Sequence, residues 1–284
     1  MKKTLITATA VATVMSASAA YADLSLGGAL ARQINSGDAT TGISNTSTSS
    51  TINVDYTTTL NNGMGMTAKT DITPGGAVYL LTVSSDMGSF FTGSDFASAV
   101  DSYDGAQGAG RYSGGGRILT SATAFNDGDS ASGNGFGIST SVAGASVSAT
   151  MGAGGNRALS IAGSMNIAGA TIKAGNTDFD TAGSADHGFM SVGYSVGGFN
   201  LGWGHWDSDA TSMTQIGAST SVGGMGVGVT SASADNGAAA DTDAFGVHLS
   251  GDLGGAFWVV DYVNTDNGDG TESDDYTISF GTGF

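Results

Sequence analysis

Asp274-Asp275-Tyr276-Thr277-Ile278-Ser279-Phe280-Gly281-Thr282-Gly283-Phe284 are the last residues of the sequence. Tyr276, Ile278, Phe280 and Phe284 share one parity, with Thr282 between them. Asp275, Thr277, Ser279, Gly281 and Gly283 take the other. Successive side chains of an extended strand point to opposite faces. The stretch therefore reads as one strand with an apolar wall and a small, polar wall.

The same period of two runs back through the chain. Leu24, Leu26 and Leu30 share a face, as do Ile52, Val54, Tyr56 and Leu60, and then Met64, Met66, Ala68 and Ile72. Further on come Phe136, Ile138 and Val142; Val147, Ala149 and Met151; and Leu159, Ile161 and Met165. Met190, Val192, Tyr194 and Val196 lead to Phe199, Leu201 and Trp203, then to Ile216, Ala218 and Val222. Met225, Val227 and Val229, Phe245, Val247 and Leu249, and Trp258, Val260 and Tyr262 complete the series. Segments 77–84, 88–94 and 170–176 are less regular strands.

Connections alternate in kind. Short ones carry turn chemistry: Asn61-Asn62-Gly63, Ala143-Gly144, Gly197-Gly198, Gly223-Gly224 and Asp252-Leu253-Gly254-Gly255. Long ones are polar: 33–50, 95–134, 177–187, 207–212, 233–243 and 264–273. Short turn, long loop, short turn is the pattern of a meander whose two ends face different compartments. About sixteen strands of about nine residues fit the length, and an even number puts both termini on one side. The expected fold is all-β, a transmembrane antiparallel up-and-down β-barrel with a long third external loop. A barrel this wide is not filled by side chains, so it holds water and needs no dry core.

Composition removes several alternatives. The 284 residues include 48 glycines, one proline and no cysteine. No disulfide, thiol nucleophile or cysteine-ligated metal is available. Glycine without a strict triplet excludes collagen. Glycine at this density also disfavours a helical fold. With 25 acidic against 8 basic residues the formal charge is -17, so the chain has no electrostatic footprint for nucleic acid.

Residues 1–22, MKKTLITATAVATVMSASAAYA, join a basic start (Lys2, Lys3) to a short apolar stretch and a small-x-small ending at Ala20-Tyr21-Ala22. This is the pattern of a cleaved secretion signal. The mature chain is then expected over 23–284. Losing Lys2 and Lys3 from the 8 basic residues leaves 6 against 25, a net charge of -19. No later stretch of about 20 apolar residues exists, so any membrane span must be a closed barrel.

The chain resembles the Gram-negative general porins and is most similar to the alphaproteobacterial type. Three stretches carry the resemblance. The leader runs straight into Asp23-Leu24-Ser25-Leu26-Gly27-Gly28. The run Ala77-Val78-Tyr79-Leu80-Leu81-Thr82-Val83-Ser84-Ser85-Asp86-Met87-Gly88-Ser89-Phe90-Phe91-Thr92-Gly93 resembles the strand pair preceding the third external loop of porins. Tyr276, Ile278, Phe280 and Phe284 resemble the terminal strand that the outer-membrane assembly machinery recognises. The resemblance implies a sixteen-stranded, usually trimeric barrel in the outer membrane, surrounded by lipid and crossed passively by ions and small hydrophilic solutes. It implies that the third loop, here 95–134, folds inward and narrows the channel. Asp101, Asp104, Arg111 and Arg117 are then the candidate constriction residues on the loop, with Asp55, Lys69, Asp71 and Lys173 on the wall. The family's basic wall is thin here, since the mature basic residues are Arg32, Lys69, Arg111, Arg117, Arg157 and Lys173. By parity Lys69 and Lys173 point inward and Arg32 falls on the apolar face. The short Thr73-Pro74-Gly75-Gly76 connection stands where the family often has a loop that latches onto a neighbouring subunit.

The charges lining the narrowest part of a pore set its ion preference. A strongly negative chain with few lumen cations is expected to prefer cations. Tyr56, Tyr194, Trp203, Trp258, Tyr262 and Phe284 are the expected interfacial aromatics. Asp266, Asp269 and Glu272 have oxygen ligands at calcium-loop density but lack the full spacing, and a solvated hairpin is the favoured reading. No cofactor is expected. His187, His205 and His248 are not spaced as zinc ligands, no nucleophile–base pair is evident, and no enzyme is expected. Gly63-Met64-Gly65-Met66-Thr67-Ala68 matches a dinucleotide fingerprint only by letters, having no helix after it. The competing reading is a secreted or surface-attached β-rich adhesin without a channel, folded as a soluble sandwich or solenoid.

Overall fold

The computed structural model describes residues 23–37, 45–94, 99–100, 135–152, 158–180, 186–208, 211–237 and 239–283. The expected leader over 1–22, most of 95–134 and Phe284 lie outside the described residues. Sixteen strands run in chain order: β1 (Asp23–Gly37), β2 (Asn45–Thr59), β3 (Gly65–Thr73), β4 (Gly76–Ser85), β5 (Gly88–Gly93), β6 (Gly135–Val142), β7 (Ala145–Gly152) and β8 (Ala158–Ile167). They continue with β9 (Ala170–Phe179), β10 (His187–Val196), β11 (Phe199–Ser208), β12 (Ser212–Val222), β13 (Met225–Asp235), β14 (Thr242–Asp252), β15 (Ala256–Asp266) and β16 (Glu272–Gly283).

Every strand pairs antiparallel with its sequence neighbours, and β1 also pairs with β16 from Ala29↔Gly283 to Gly37↔Asp275, so the sheet closes. Closure leaves no edge and satisfies the ladder within the sheet. A sandwich or a solenoid does not have this topology. No helix of the described residues is long and apolar enough to cross a membrane, which says nothing of strands.

Exposure is inverted relative to a protein dissolved in water. On β16, Tyr276 and Phe280 are both 49% exposed, while Thr277 and Ser279 are 2% and 4% exposed. Leu26, Ile138, Leu159, Met190, Ile216 and Phe245 are likewise exposed on the outer face. An apolar belt of this extent needs a partner phase. Aromatic rings cluster toward both ends of the strands. Tyr79, Phe136, Phe245 and Tyr276 lie toward the long-loop end; Phe90, Tyr194, Phe199 and Phe280 lie toward the short-turn end. Of the expected interfacial aromatics, Tyr194 is exposed, while Trp203, Trp258 and Tyr262 are half-buried on the outer face. Tyr56 is buried at 4%.

Four hairpins share one turn geometry, with positive φ at both central residues: Ala143-Gly144, Ala168-Gly169, Gly197-Gly198 and Gly223-Gly224. This backbone follows the twist of the flanking strands.

One expectation needs correction. The connection expected at 33–50 is shorter, because β1 runs to Gly37 and β2 begins at Asn45, paired through Asn35↔Asn45. The Ser/Thr-rich run 46–51 has no apolar period, yet its backbone pairs fully with β1. Part of the inner face is apolar. Ala162, Phe189, Trp206, Met213, Ala232, Ala234, Ala244 and Val263 form one buried apolar cluster with Ala99 and Val100. Phe189, Trp206 and Met213 have the parity opposite to the lipid-facing residues of their strands, so they point inward.

Candidate functional site

The inner face is built from the residues that alternate with the belt, and its two sides differ. On β2 and β3 it is charged. Lys69 Nζ lies 3.0 Å from Asp71 Oδ2, and Asn53 Nδ2 donates to Asp71 Oδ1 at 2.9 Å. Asp55 sits directly across the ladder from Lys69, and its buried Oδ1 has no hydrogen-bond partner. Eight strands round the ring, half the circumference, lies the apolar side: Phe189 on β10, Trp206 on β11 and Met213 on β12. Both sides come from neighbouring strands, so both are held by ladder hydrogen bonds rather than by loops.

Glycine lets the inner rings lie close against the wall. A Cβ on Gly204 would lie 2.5 Å from Cη2 of Trp206, and one on Gly175 would lie 2.7 Å from Cε1 of Phe189. Gly137 beneath Phe91 and Gly281 beneath Phe257 repeat the arrangement. The abundant lumen-side glycine thus does more than keep the wall small.

The connection after β5 touches the inner face where it is described. Ala99 and Val100 have helical backbone and are 0% and 2% exposed. The Ala99 N–H donates to Thr150 Oγ1 at 2.7 Å, and the Val100 N–H donates to Ser160 Oγ at 2.9 Å. Thr150 and Ser160 alternate with the exposed Met151, Leu159 and Ile161, so they are inner-face groups of β7 and β8.

The structure brings together Asp55, Lys69 and Asp71 among the sequence-derived wall residues. Lys173 lies on the inner face of β9, opposite Ser191. Arg32 is exposed on the outer face, opposite Phe280. Asp101, Asp104, Arg111 and Arg117 lie outside the described residues. Of the terminal motif, Tyr276, Ile278 and Phe280 all lie on the outer face of β16.

A second inner-face pair was not expected from the sequence. His248 on β14 stands directly across from Asp261 on β15, with Nδ1 2.6 Å from Oδ1. Asp261 is 2% exposed, and its other oxygen, Oδ2, has no hydrogen-bond partner. The signal available was parity: His248 alternates with Val247 and Leu249, and Asp261 with Val260 and Tyr262.

At the long-loop rim, Asp266 Oδ1 accepts the Gly268 N–H at 2.9 Å and Asp269 Oδ1 accepts the Thr271 N–H at 2.9 Å. The hydroxyl and N–H of Thr271 hold the Asp269 carboxyl below the usual carboxylate range. Among the described residues no group of three or more His, Cys, Asp or Glu is arranged to hold a metal ion. A groove of about 450 Å³ on the outer face is lined by Met64, Val83, Phe90, Ile138 and Val147. It has no ionisable lining.

No family model matches the sequence, and no curated protein matches it. Solved structures do. A loop L8 deletion mutant of OmpT, an outer membrane protein of Vibrio cholerae, is similar with a TM-score of 0.69 at 16% identity, over 93% of this chain and 100% of that one. OmpT of Vibrio cholerae in its trimer form is similar with a TM-score of 0.68 at 14% identity, over 93% of this chain and 100% of that one. A variant of the Rh. blastica porin is similar with a TM-score of 0.67 at 15% identity, over 92% of this chain and 100% of that one. The fold of this chain is that of the general porins: a closed, all-antiparallel barrel of sixteen strands.

Proposed function

We propose that this chain is a porin of a Gram-negative outer membrane, a non-enzymatic channel through which ions and small hydrophilic solutes diffuse passively. The observation that carries the reading is the inverted exposure of a closed barrel, with large apolar side chains outside and hydroxyls inside. Such a surface is stable in lipid and costly in water.

The finer reading has separate supports. Cation preference follows from the acidic balance of the chain and the few inner-face cations. Inward folding of 95–134, with Asp101, Asp104, Arg111 and Arg117 at the narrowing, is supported by the hydrogen bonds of Ala99 and Val100 to the inner wall. The wall residues of that narrowing are Asp55, Lys69, Asp71 and Lys173. Trimeric assembly is supported by the trimer form of the structurally similar OmpT. Export by the 1–22 leader and recognition of Tyr276, Ile278, Phe280 and Phe284 by the assembly machinery complete the proposal.

The test is planar-bilayer conductance of refolded 23–284 with a reversal potential measured across a KCl gradient. Stepwise ohmic currents with a cation-selective potential are expected. Anion-selective steps would overturn the charge reading and leave the channel standing. Inserted protein without steps would overturn the channel.

A further inference from the structure

We infer that His248 and Asp261 form a proton-dependent selectivity element in the wall of this channel. The inference rests on the channel reading proposed above. Its basis is the geometry of the pair. The two side chains meet at 2.6 Å across directly opposed positions of β14 and β15, on the inner face.

Asp261 is fixed. It is 2% exposed and lies between Val259 and Val263, at 2% and 3%, with Thr277 opposite at 2%. A carboxylate held this way cannot swing toward a passing ion, so its charge acts from one place. Its Oδ2 is buried without a partner, which leaves the negative charge locally uncompensated except through the imidazole. His248 is more open, with 23% of its side chain exposed, so protons reach it.

The pair therefore has two charge states, set by whether the imidazole carries one proton or two. With the imidazole neutral, Nδ1–H donates to Asp261 and the pair carries one negative charge. With the imidazole protonated, the same hydrogen bond becomes an ion pair and the net charge is zero. The surroundings do not mask the change. β13 contributes Gly226, Gly228 and Thr230 beside His248. β14 and β15 contribute Gly246, Ser250, Val259 and Val263. β16 contributes Thr277, Ser279 and Asp275, the last being the neighbouring carboxylate. The ordinary imidazole range lies between about pH 5.5 and pH 8, above that of carboxylates.

One unit charge about 7 Å from a permeating ion in water changes its local concentration by about threefold. Salt reduces this, so the effect is read at low ionic strength.

The experiment measures the reversal potential across a KCl gradient in planar bilayers at pH 8 and pH 5.5. Three proteins are compared: wild type, His248→Gln and His248→Arg. Wild type is expected to lose about threefold of its cation preference at the lower pH. His248→Gln is expected to hold the high-pH preference at both values, and His248→Arg the low-pH preference at both. A wild type whose selectivity does not change with pH would overturn the inference, as would an equal change in His248→Gln. Inserted wild-type protein without conductance steps would refute the channel reading itself. That failure is distinct from a conducting pore with pH-independent selectivity.

Discussion

Replacing Gly204 by alanine should displace Trp206 from the inner wall. The added Cβ would stand 2.5 Å from Cη2, 2.9 Å from Cζ3 and 3.2 Å from Cζ2 of the indole. These contacts are made by a rigid ring that is 2% exposed, so no flexible tip can yield. Overpacking of this kind costs about 1–3 kcal/mol. Alanine in place of glycine within a strand returns about 0.5–1 kcal/mol. The net expectation is a loss of about 1–1.5 kcal/mol, taking the middle of the first range. Gly65→Ala is the control, because the nearest atom to its Cβ would be Ser84 O at 4.0 Å, and this variant should match or exceed the wild type. Urea unfolding in detergent, followed by tryptophan emission, measures both. The double variant Gly204→Ala, Trp206→Ala separates the clash from the substitution. The alanine penalty at 204 should vanish once the ring is gone. If Gly204→Ala is no less stable than Gly65→Ala, the close-packing account of the inner glycines is wrong. If the penalty persists without Trp206, the account is wrong as well.

Three further expectations follow from other parts of the barrel. Ile278→Arg places a charge on the outer face of β16 and should lower stability by about 2–4 kcal/mol if the position lies at the bilayer midplane, read from the urea midpoint in lipid vesicles. Ala143→Asn and Ala168→Asn relieve non-glycine residues at φ 52 and φ 50 in paired positive-φ turns. Each should raise stability by up to about 1 kcal/mol in the same assay, and a fall would contradict the turn argument. In bilayers, Lys69→Gln should strengthen cation preference and Asp71→Asn should weaken it, each by about threefold at low salt. Shifts of the same sign in both variants would remove the β2–β3 patch from the conduction path.

The outer face of this barrel was legible because lipid imposes a local rule. Every second residue must be apolar, and Tyr276, Ile278 and Phe280 obey it without reference to the rest of the chain. Strands that weaken the rule were harder to bound. β9 carries Asn176 and Asp178 on its outer parity, so the sequence pattern stops at 176 while the ladder continues to Phe179. β2 begins within a serine–threonine run that has no period, and only pairing with β1 makes it a strand. The inner face follows no comparable rule, because what covers it arrives from distant sequence. Thr150 and Ser160 bond to Ala99 and Val100, 51 and 60 residues away. Phe189, Trp206 and Met213 sit on the parity that was read as small and polar, and their company was not visible from their own strands. The Asp55–Lys69–Asp71 patch was legible by parity, whereas His248 with Asp261 needed the register of two hairpin strands.

The seam between the first and last strands has a consequence for how this molecule comes into being. Its paired residues range from Gly37 with Asp275 to Ala29 with Gly283, separations of 238 and 254 residues. Few pairings in a chain of this length have a higher contact order, and such contacts form late and slowly. Vectorial synthesis delivers β1 first and β16 last, so the ring cannot be completed while the chain is still emerging. Until then β1 and β15 present two unpaired ladders, each a template for another chain. A molecule that is closed by its sixteenth strand, twelve residues long, must be escorted until that strand arrives. Shortening it from that end would give an open, adhesive sheet in place of a narrower pore.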